Sequence, residues 1–270
     1  MPDTTSLTAT SHRAGTTLLD SPAIAVRDVS VGFGPKTVLS EVDLPIERGT
    51  ITALIGPTGC GKSTLLRSLN RMNDKTRGYW RRGRIEFDGA DIADPGTDLL
   101  NLRRRVGMVF QRPNPFPMSI SDNVVAGVRA HRMVPRAEMA AVAERYLKEV
   151  SLWGAVAERL GDSPFRLSGG QQQLLCLARA LAVEPDVLLL DEPTSSLDPV
   201  TTEIVEDLLR KLAPRLTIVI VTHNLAQARR VSKTTAFLYN GRLVEQGDTA
   251  QIFEQPTQPE TVSYVGGRIG

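Results

Sequence analysis

The chain reads as an α/β protein built on a mostly parallel sheet, and three observations predict it. Short, predominantly apolar runs recur at residues 51–55, 187–190 and 217–221, the pattern of strands buried on both faces. Stretches with apolar residues at helical spacing separate them, as in Leu65, Leu66, Leu69 and Met72 after the first run. That run also ends in a glycine-rich loop, GPTGCGKST from Gly56 to Thr64, which leads straight into the helix.

In chain order, residues 23–29 predict a first strand and 51–55 the next. A helix over 62–72 follows the glycine loop. Residues 84–87 and 106–110 read as strands, and a Pro-rich segment, 112–117, comes after the second. Helices are predicted over 119–132 and 136–150. The latter opens after Pro135 and carries Ala137, Ala141, Tyr146, Leu147 and Val150 at helical spacing. Another helix begins after Leu167-Ser168-Gly169-Gly170-Gln171 and runs through Leu181. The helical stretch between Pro113 and Gln173 interrupts the strand–helix alternation and so predicts a separate lobe. There is no internal repeat.

Composition narrows the class. With 270 residues, 41% of them hydrophobic, the chain can bury one sizeable core. A net charge of +2 is too even for a nucleic-acid binder, so the arginine clusters at 81–84 and 103–105 read as solvated faces. Two cysteines, Cys60 and Cys176, make no disulfide framework and fit a reduced, cytoplasmic setting. No stretch approaches the ~18 consecutive apolar residues of a membrane helix, so any membrane spanning falls to other chains. Residues 1–21 are rich in Thr and Ser, lack the apolar core of a secretory signal, and read as a flexible extension.

The glycine loop carries the chemistry. Its glycines admit phosphate oxygens where a side chain would block them. Backbone amides at Gly59, Gly61, Lys62 and Ser63 should face the phosphates, with the helix N-terminus adding positive potential. Lys62 reaches the outer phosphates and the Ser63 hydroxyl should ligate Mg²⁺. Pro57, Thr58, Cys60 and Thr64 complete this nucleotide-binding segment. A glycine-rich turn with a chance Lys-Ser is the alternative; the strand before and helix after the loop count against it. Further on, VLLLDEP carries Asp191 to the end of an apolar strand, where it can hold Mg²⁺ through water. Glu192 is placed to accept a proton from the attacking water.

These residues, together with LSGGQ at 167–171, resemble the ATP-binding subunits of ABC transporters. LSGGQ is that family's signature, and it stands upstream of the Asp191 strand as in the family. Gln111 matches the glutamine that ends a strand, Ser196-Leu197-Asp198 the loop after the acidic strand, and His223 the switch histidine. Phe33 matches the aromatic residue that stacks on adenine. Taken singly, Phe33 could be core, His223 a turn residue and Gln111 a surface amide; their order between two strong motifs favours the functional readings. The resemblance implies a P-loop NTPase core of RecA-like, mostly parallel sheet with an N-terminal antiparallel β-subdomain. It implies a single ATP-binding domain over 22–265, an inserted helical subdomain at about 112–172, and a tail at 266–270. It also implies that Ser168, Gly169, Gly170 and Gln171 of a second copy, with Asp198, complete the ATP site. Gln111 would be a further Mg²⁺ ligand, and Gln111 and His223 would sense the γ-phosphate while Glu192 acts as the base.

Three stretches, 69–74 (LNRMND), 111–124 (QRPNPFPMSISDNV) and 222–224 (THN), are similar to the bacterial phosphate-importer ATPases. That implies a head-to-tail homodimer, two integral-membrane permease subunits, and an extracytoplasmic phosphate-binding protein. It places the chain on the inner face of the cell membrane. A Gly-Arg at 241–242, Glu245 and Gly-Asp at 247–248 resemble the importers' C-terminal strand pair and helix. One departure stands out: the family often has Arg three residues after LSGGQ, and here Leu174 occupies that place. A polar contact near the Asp191 strand is therefore expected to be missing or replaced. The alternatives are an importer ATPase for another solute, an anion or a polar amino acid, and more remotely a soluble ATPase of the superfamily acting on DNA. The missing heptad run between Gly56 and Leu167 counts against the last.

Overall fold

The computed structural model describes residues 21–269. The expected extension over 1–21 therefore lies outside the described residues, Ser21 excepted, as does residue 270 of the tail. Ten strands are described: β1 (Ile24–Phe33), β2 (Lys36–Ile46), β3 (Ile51–Ile55), β4 (Tyr79–Phe87), β5 (Ala90–Asp91), β6 (Val106–Val109), β7 (Val187–Asp191), β8 (Thr217–Val221), β9 (Thr234–Tyr239) and β10 (Arg242–Asp248). They form an antiparallel sheet, β2-β1-β4-β5, and a six-stranded sheet, β10-β9-β3-β8-β7-β6. In the second, all pairings are parallel except β10 with β9.

Every residue of β3, β7 and β8 is buried, because both faces of the large sheet are covered. Alternate residues serve opposite cores. Ile55, Leu188, Leu190, Ile218 and Ile220 pack with the helices Gly169–Leu181 and Pro199–Leu212. Leu54, Val187, Leu189, Val219 and Val221 pack with β1, β2 and the helix Lys62–Ser68. The antiparallel sheet thus lies against the face that also carries the glycine-loop helix.

Several elements depart from their expected bounds. The first strand extends to Phe33, which puts that residue on a strand end. The expected 62–72 helix stops at Ser68 and gives way to a 3-10 turn, Met72–Lys75. Arg71 adopts φ 60°, and Asn73 Nδ2 donates to Thr64 O and the Ser68 hydroxyl, both at 2.9 Å, folding the turn back on the helix. The 136–150 stretch splits into a 3-10 turn, Arg136–Glu138, and a helix, Met139–Glu149. β2 is not among the predicted strands, although its exposed face carries Glu41, Asp43 and Pro45 in alternation with buried Val42, Leu44 and Ile46.

One ionic knot ties the two sheets. Asp88, in the β4–β5 turn, accepts from Arg48 after β2 and from Arg105 before β6, and Arg105 Nε also donates to Asp186 at 2.6 Å. Burial pushes the Asp88 carboxyl up, but the hydrogen bonds from Arg48 and Arg105 outweigh it and hold the pKa below its ordinary 3.8. A carboxyl depressed on folding adds stability above its unfolded pKa, and that contribution is lost as pH falls through the folded value. Asp88→Asn is therefore expected to cost about 1 kcal/mol at neutral pH. The gap between thermal melts of the two proteins should begin to close below about pH 4 and vanish once the pH is under the depressed folded value; a gap that stayed constant into acid would refute the ionic origin.

Candidate active site

The sheet order explains why distant residues meet. β3, β8, β7 and β6 are neighbours and parallel, so their C-terminal ends share one edge. That edge receives the glycine loop from β3, His223 just after β8, Asp191 and Glu192 from β7, and Gln111 after β6. A cleft of 480 Å³ opens there, lined by Val38, Thr58, Gly59, Gly61, Lys62, Ser63, Thr64, Gln111, Glu192 and His223.

The loop's backbone requires its glycines. Gly56 has φ 145°, and a Cβ there would lie 2.1 Å from Leu238 O and 2.9 Å from Cys60 Sγ. Gly61 caps the helix at φ 109°, where a Cβ would meet Leu39 Cδ2 at 2.5 Å. Lys62, only 6% exposed, curls over the loop and donates to Gly56 O at 2.7 Å and Pro57 O at 2.8 Å. Its ammonium is thus held on the wall of the cleft. Burial pushes the Cys60 thiol up, which keeps it protonated and inert. Behind β3, Tyr264 from the helix Pro259–Val265 stacks on Phe237 with centroids 4.9 Å apart, and Phe237 pairs with Ile55 at the loop's root.

Opposite the loop, Ser63 Oγ donates to Asp191 Oδ1 at 2.7 Å. Arg67 donates to the other oxygen, Oδ2, at 3.0 Å. Asp191 is almost fully buried, and a buried carboxylate needs such a partner. Sequence reasoning missed Arg67; its place one turn along the glycine-loop helix from Ser63 is the signal that could have found it. A hydroxyl and a carboxylate converging within hydrogen-bond distance are the hard oxygen donors that suit Mg²⁺ with retained waters. Gln111 is turned elsewhere: its Nε2 donates to Glu192 Oε2 at 2.9 Å.

Glu192 itself adopts φ 47°, a left-handed conformation unusual for a glutamate. Its backbone amide donates to Val221 O at 3.0 Å. The side chain's Oε2 takes Gln111 and, at 3.0 Å, His223 Nδ1. A carboxylate oxygen accepts, so Nδ1–H is the donor in this pair.

The signature lies elsewhere. Ser168 caps the helix Gly169–Leu181 in a reciprocal box, its hydroxyl accepting from Gln171 N at 3.2 Å while Gln171 Oε1 accepts from Ser168 N at 3.1 Å. None of residues 167–171 lines the cleft. Gly170 lies beside Thr201, whose hydroxyl donates to Asp198 at 2.6 Å, so signature and Asp198 form one neighbouring surface. Phe33 is half-buried at the tip of the β1–β2 hairpin, 5.8 Å from the Tyr79 ring, and is outside the cleft lining. Leu174 is buried in the core, and the guanidinium at Asp191 comes from Arg67.

The three distinctive stretches turn out to be rich in local staples. Asn123, fully buried, accepts from Phe116 N and donates to the carbonyls of Phe116, Met118 and Ser119. Asn114 holds Arg179, whose guanidinium stacks 4.2 Å from the Phe116 ring. Asn224 caps the helix Leu225–Val231. These contacts fix a Pro-rich ledge from which Phe116 and Met118 stay 42% and 39% exposed.

Comparison with known proteins places this geometry. The pattern of the ABC transporter family matches residues 39–195. The chain is 63% identical over 238 residues to the phosphate import ATP-binding protein PstB of Mycobacterium intracellulare, covering 88% of this chain and 83% of that one. It is 59% identical over 250 residues to phosphate import ATP-binding protein PstB 2 of Mycobacterium tuberculosis, covering 93% and 90%. Among solved structures, a bacterial Atm1-family ABC exporter with ATP bound superposes with a TM-score of 0.78 at 27% identity. The match covers 97% of this chain and 44% of the exporter chain.

Proposed function

This chain belongs to the ABC transporter family of ATP-binding proteins, and from that premise we propose that it is the ATP-hydrolysing subunit of an importer of inorganic phosphate. One observation carries the hydrolytic part: a single carboxylate oxygen, Glu192 Oε2, is shared by Gln111 and His223 at the mouth of the phosphate cleft. The cargo follows from relatives named for phosphate import at 63% and 59% identity over about nine-tenths of the chain.

Residues 22–265 form the ATP-binding domain, with 112–172 as its helical insertion. The amides of Gly59, Gly61, Lys62 and Ser63 cradle the phosphates, and Lys62 leaves its carbonyl ligands to reach the outer ones. Phe33 stacks on adenine. Ser63 and Asp191, with Gln111, would hold Mg²⁺, which when bound would neutralise charge on the phosphates. With Oε2 occupied by two donors, Glu192 keeps Oε1 for the attacking water and takes its proton. His223 and Gln111 restrain the carboxylate and report on the γ-phosphate. Ser168, Gly169, Gly170 and Gln171 of a second copy, beside that copy's Asp198, cover the exposed side in a head-to-tail dimer; their absence from the cleft of a single chain supports this.

The exposed Phe116 and Met118 suit a ledge for a permease subunit, one on each copy, with an extracytoplasmic phosphate-binding protein beyond. No helix among the described residues is long and apolar enough to cross a membrane, which fits peripheral attachment at the cytoplasmic face. Lys62→Ala tests both parts. ATP hydrolysis and cellular phosphate uptake should each fall on the order of 10²-fold. Undiminished hydrolysis would sink the site assignment. Undiminished phosphate uptake with loss of another solute's uptake would overturn the cargo alone.

A further inference from the structure

Behind the Glu192–His223 pair lies a second opening, 630 Å³, whose walls include Glu192, Thr194, Glu206, His223 and Arg230. Its floor is a polar network that the reaction as described does not use. Gln227, 1% exposed, donates through Nε2 to the Thr194 hydroxyl at 2.8 Å and to Glu206 Oε1 at 3.2 Å. Glu206, 4% exposed, takes a two-pronged contact from Arg230, Nε to Oε2 at 2.8 Å and a terminal nitrogen to Oε1 at 2.7 Å. Arg230's hydrogen bonds lower the Glu206 pKa against burial, so the carboxylate stays charged.

These residues belong to the three segments that frame the reaction. Thr194 lies two residues beyond Glu192, in the turn that Glu192 opens at φ 47° and that Ser195 N closes on Glu192 O at 3.2 Å. Gln227 and Arg230 lie on the helix Leu225–Val231, which starts two residues after His223. Glu206 lies on the helix Pro199–Leu212, which Asp198 caps. A left-handed glutamate persists only where its surroundings over-determine it. On one side Val221 O fixes Glu192's amide; on the other the turn is held through Thr194. Among the described residues Gln227 Oε1 is buried with no partner, so this amide acts here through its two N–H donations.

We infer that Gln227 is a positioning residue, braced by Glu206 and Arg230, which sets the Glu192 turn against the helix that carries His223 and so fixes their shared hydrogen bond. The inference rests on Glu192 as base and His223 as its partner. Displacing a base by a fraction of an ångström lowers turnover without touching the phosphate cradle.

The test is single-turnover ATP hydrolysis and nucleotide affinity, measured on the full chain with thermal melts alongside. Gln227→Leu keeps the volume and removes the donor. Turnover should fall about tenfold or more while the Kd for ATP stays within about twofold. Thr194→Val should reproduce the loss, Thr194→Ser should restore wild-type turnover, and Thr194→Val with Gln227→Leu should be no worse than either alone. A lower melting temperature with unchanged turnover would show a merely structural brace and overturn the inference, as would additive losses or a failure of Thr194→Ser to rescue. Absence of hydrolysis in the wild type would instead overturn the ATPase reading itself.

Discussion

Glu192→Gln is expected to lower ATP turnover roughly 10²–10⁴-fold while nucleotide binding survives. The amide fills the same space, and its carbonyl oxygen can still accept from Gln111 and His223, which now meet at Oε2. What it cannot do is take a proton from water. The cradle residues stand on β3 and its helix, two strands away from β7 in the sheet, so ATP affinity should change little. Pre-steady-state hydrolysis and equilibrium nucleotide binding on the same preparation separate the two effects. Turnover at the wild-type rate would remove Glu192 from the role of base. Loss of binding in proportion to turnover would mean that the glutamate holds the loop and does no chemistry.

Gly56→Ala should be the most damaging change in the glycine loop. Its φ of 145° is one that L side chains rarely adopt, and the new methyl would stand 2.1 Å from the backbone carbonyl of Leu238 on β9. A backbone obstacle in the middle of a buried sheet cannot step aside, so strain and clash together should cost about 3 kcal/mol or more. The shift would also carry away the Gly56 carbonyl that anchors Lys62. A melting point lower by about 6 °C or more, with ATP binding impaired, is the expected outcome. Gly59→Ala is the comparison: at φ 82°, with no atom of the described residues beyond its chain neighbours within 4 Å of the new methyl, it meets strain alone, about 1 kcal/mol. Equal melting points for the two variants would show that the Leu238 contact carries no weight.

Much of the engine was legible before any coordinates. The apolar runs at 51–55, 187–190 and 217–221 fit strands buried on both faces, and they are such strands. The motifs at their ends could be read because phosphate binding needs glycine, lysine and hydroxyl groups at fixed spacing. The helices Pro199–Leu212 and Leu225–Val231 went unread although each follows directly on a motif residue. Their caps, Asp198 and Asn224, stand out in sequence for other reasons, Asp198 as a candidate ATP-site residue and Asn224 as part of an importer-like stretch. The stretches that resemble phosphate importers proved to hold asparagines that close local backbone, Asn73, Asn123 and Asn224, so they shape the ledge and turns.

Three motifs readable from the amino acids alone carry the proposed chemistry: the glycine loop at Gly56 to Thr64, the acidic pair Asp191 and Glu192, and LSGGQ at 167–171. Tertiary structure alone decided who touches whom. Gln111 reaches Glu192 across 81 residues and His223 across 31, Arg67 takes the Asp191 oxygen that no motif assigns, and Gln227 braces the turn from 33 residues away. The reason is physical. Periodicity reports which face of an element is buried, whereas these contacts follow from the spatial order β3-β8-β7-β6, which sets strands side by side that the chain keeps far apart.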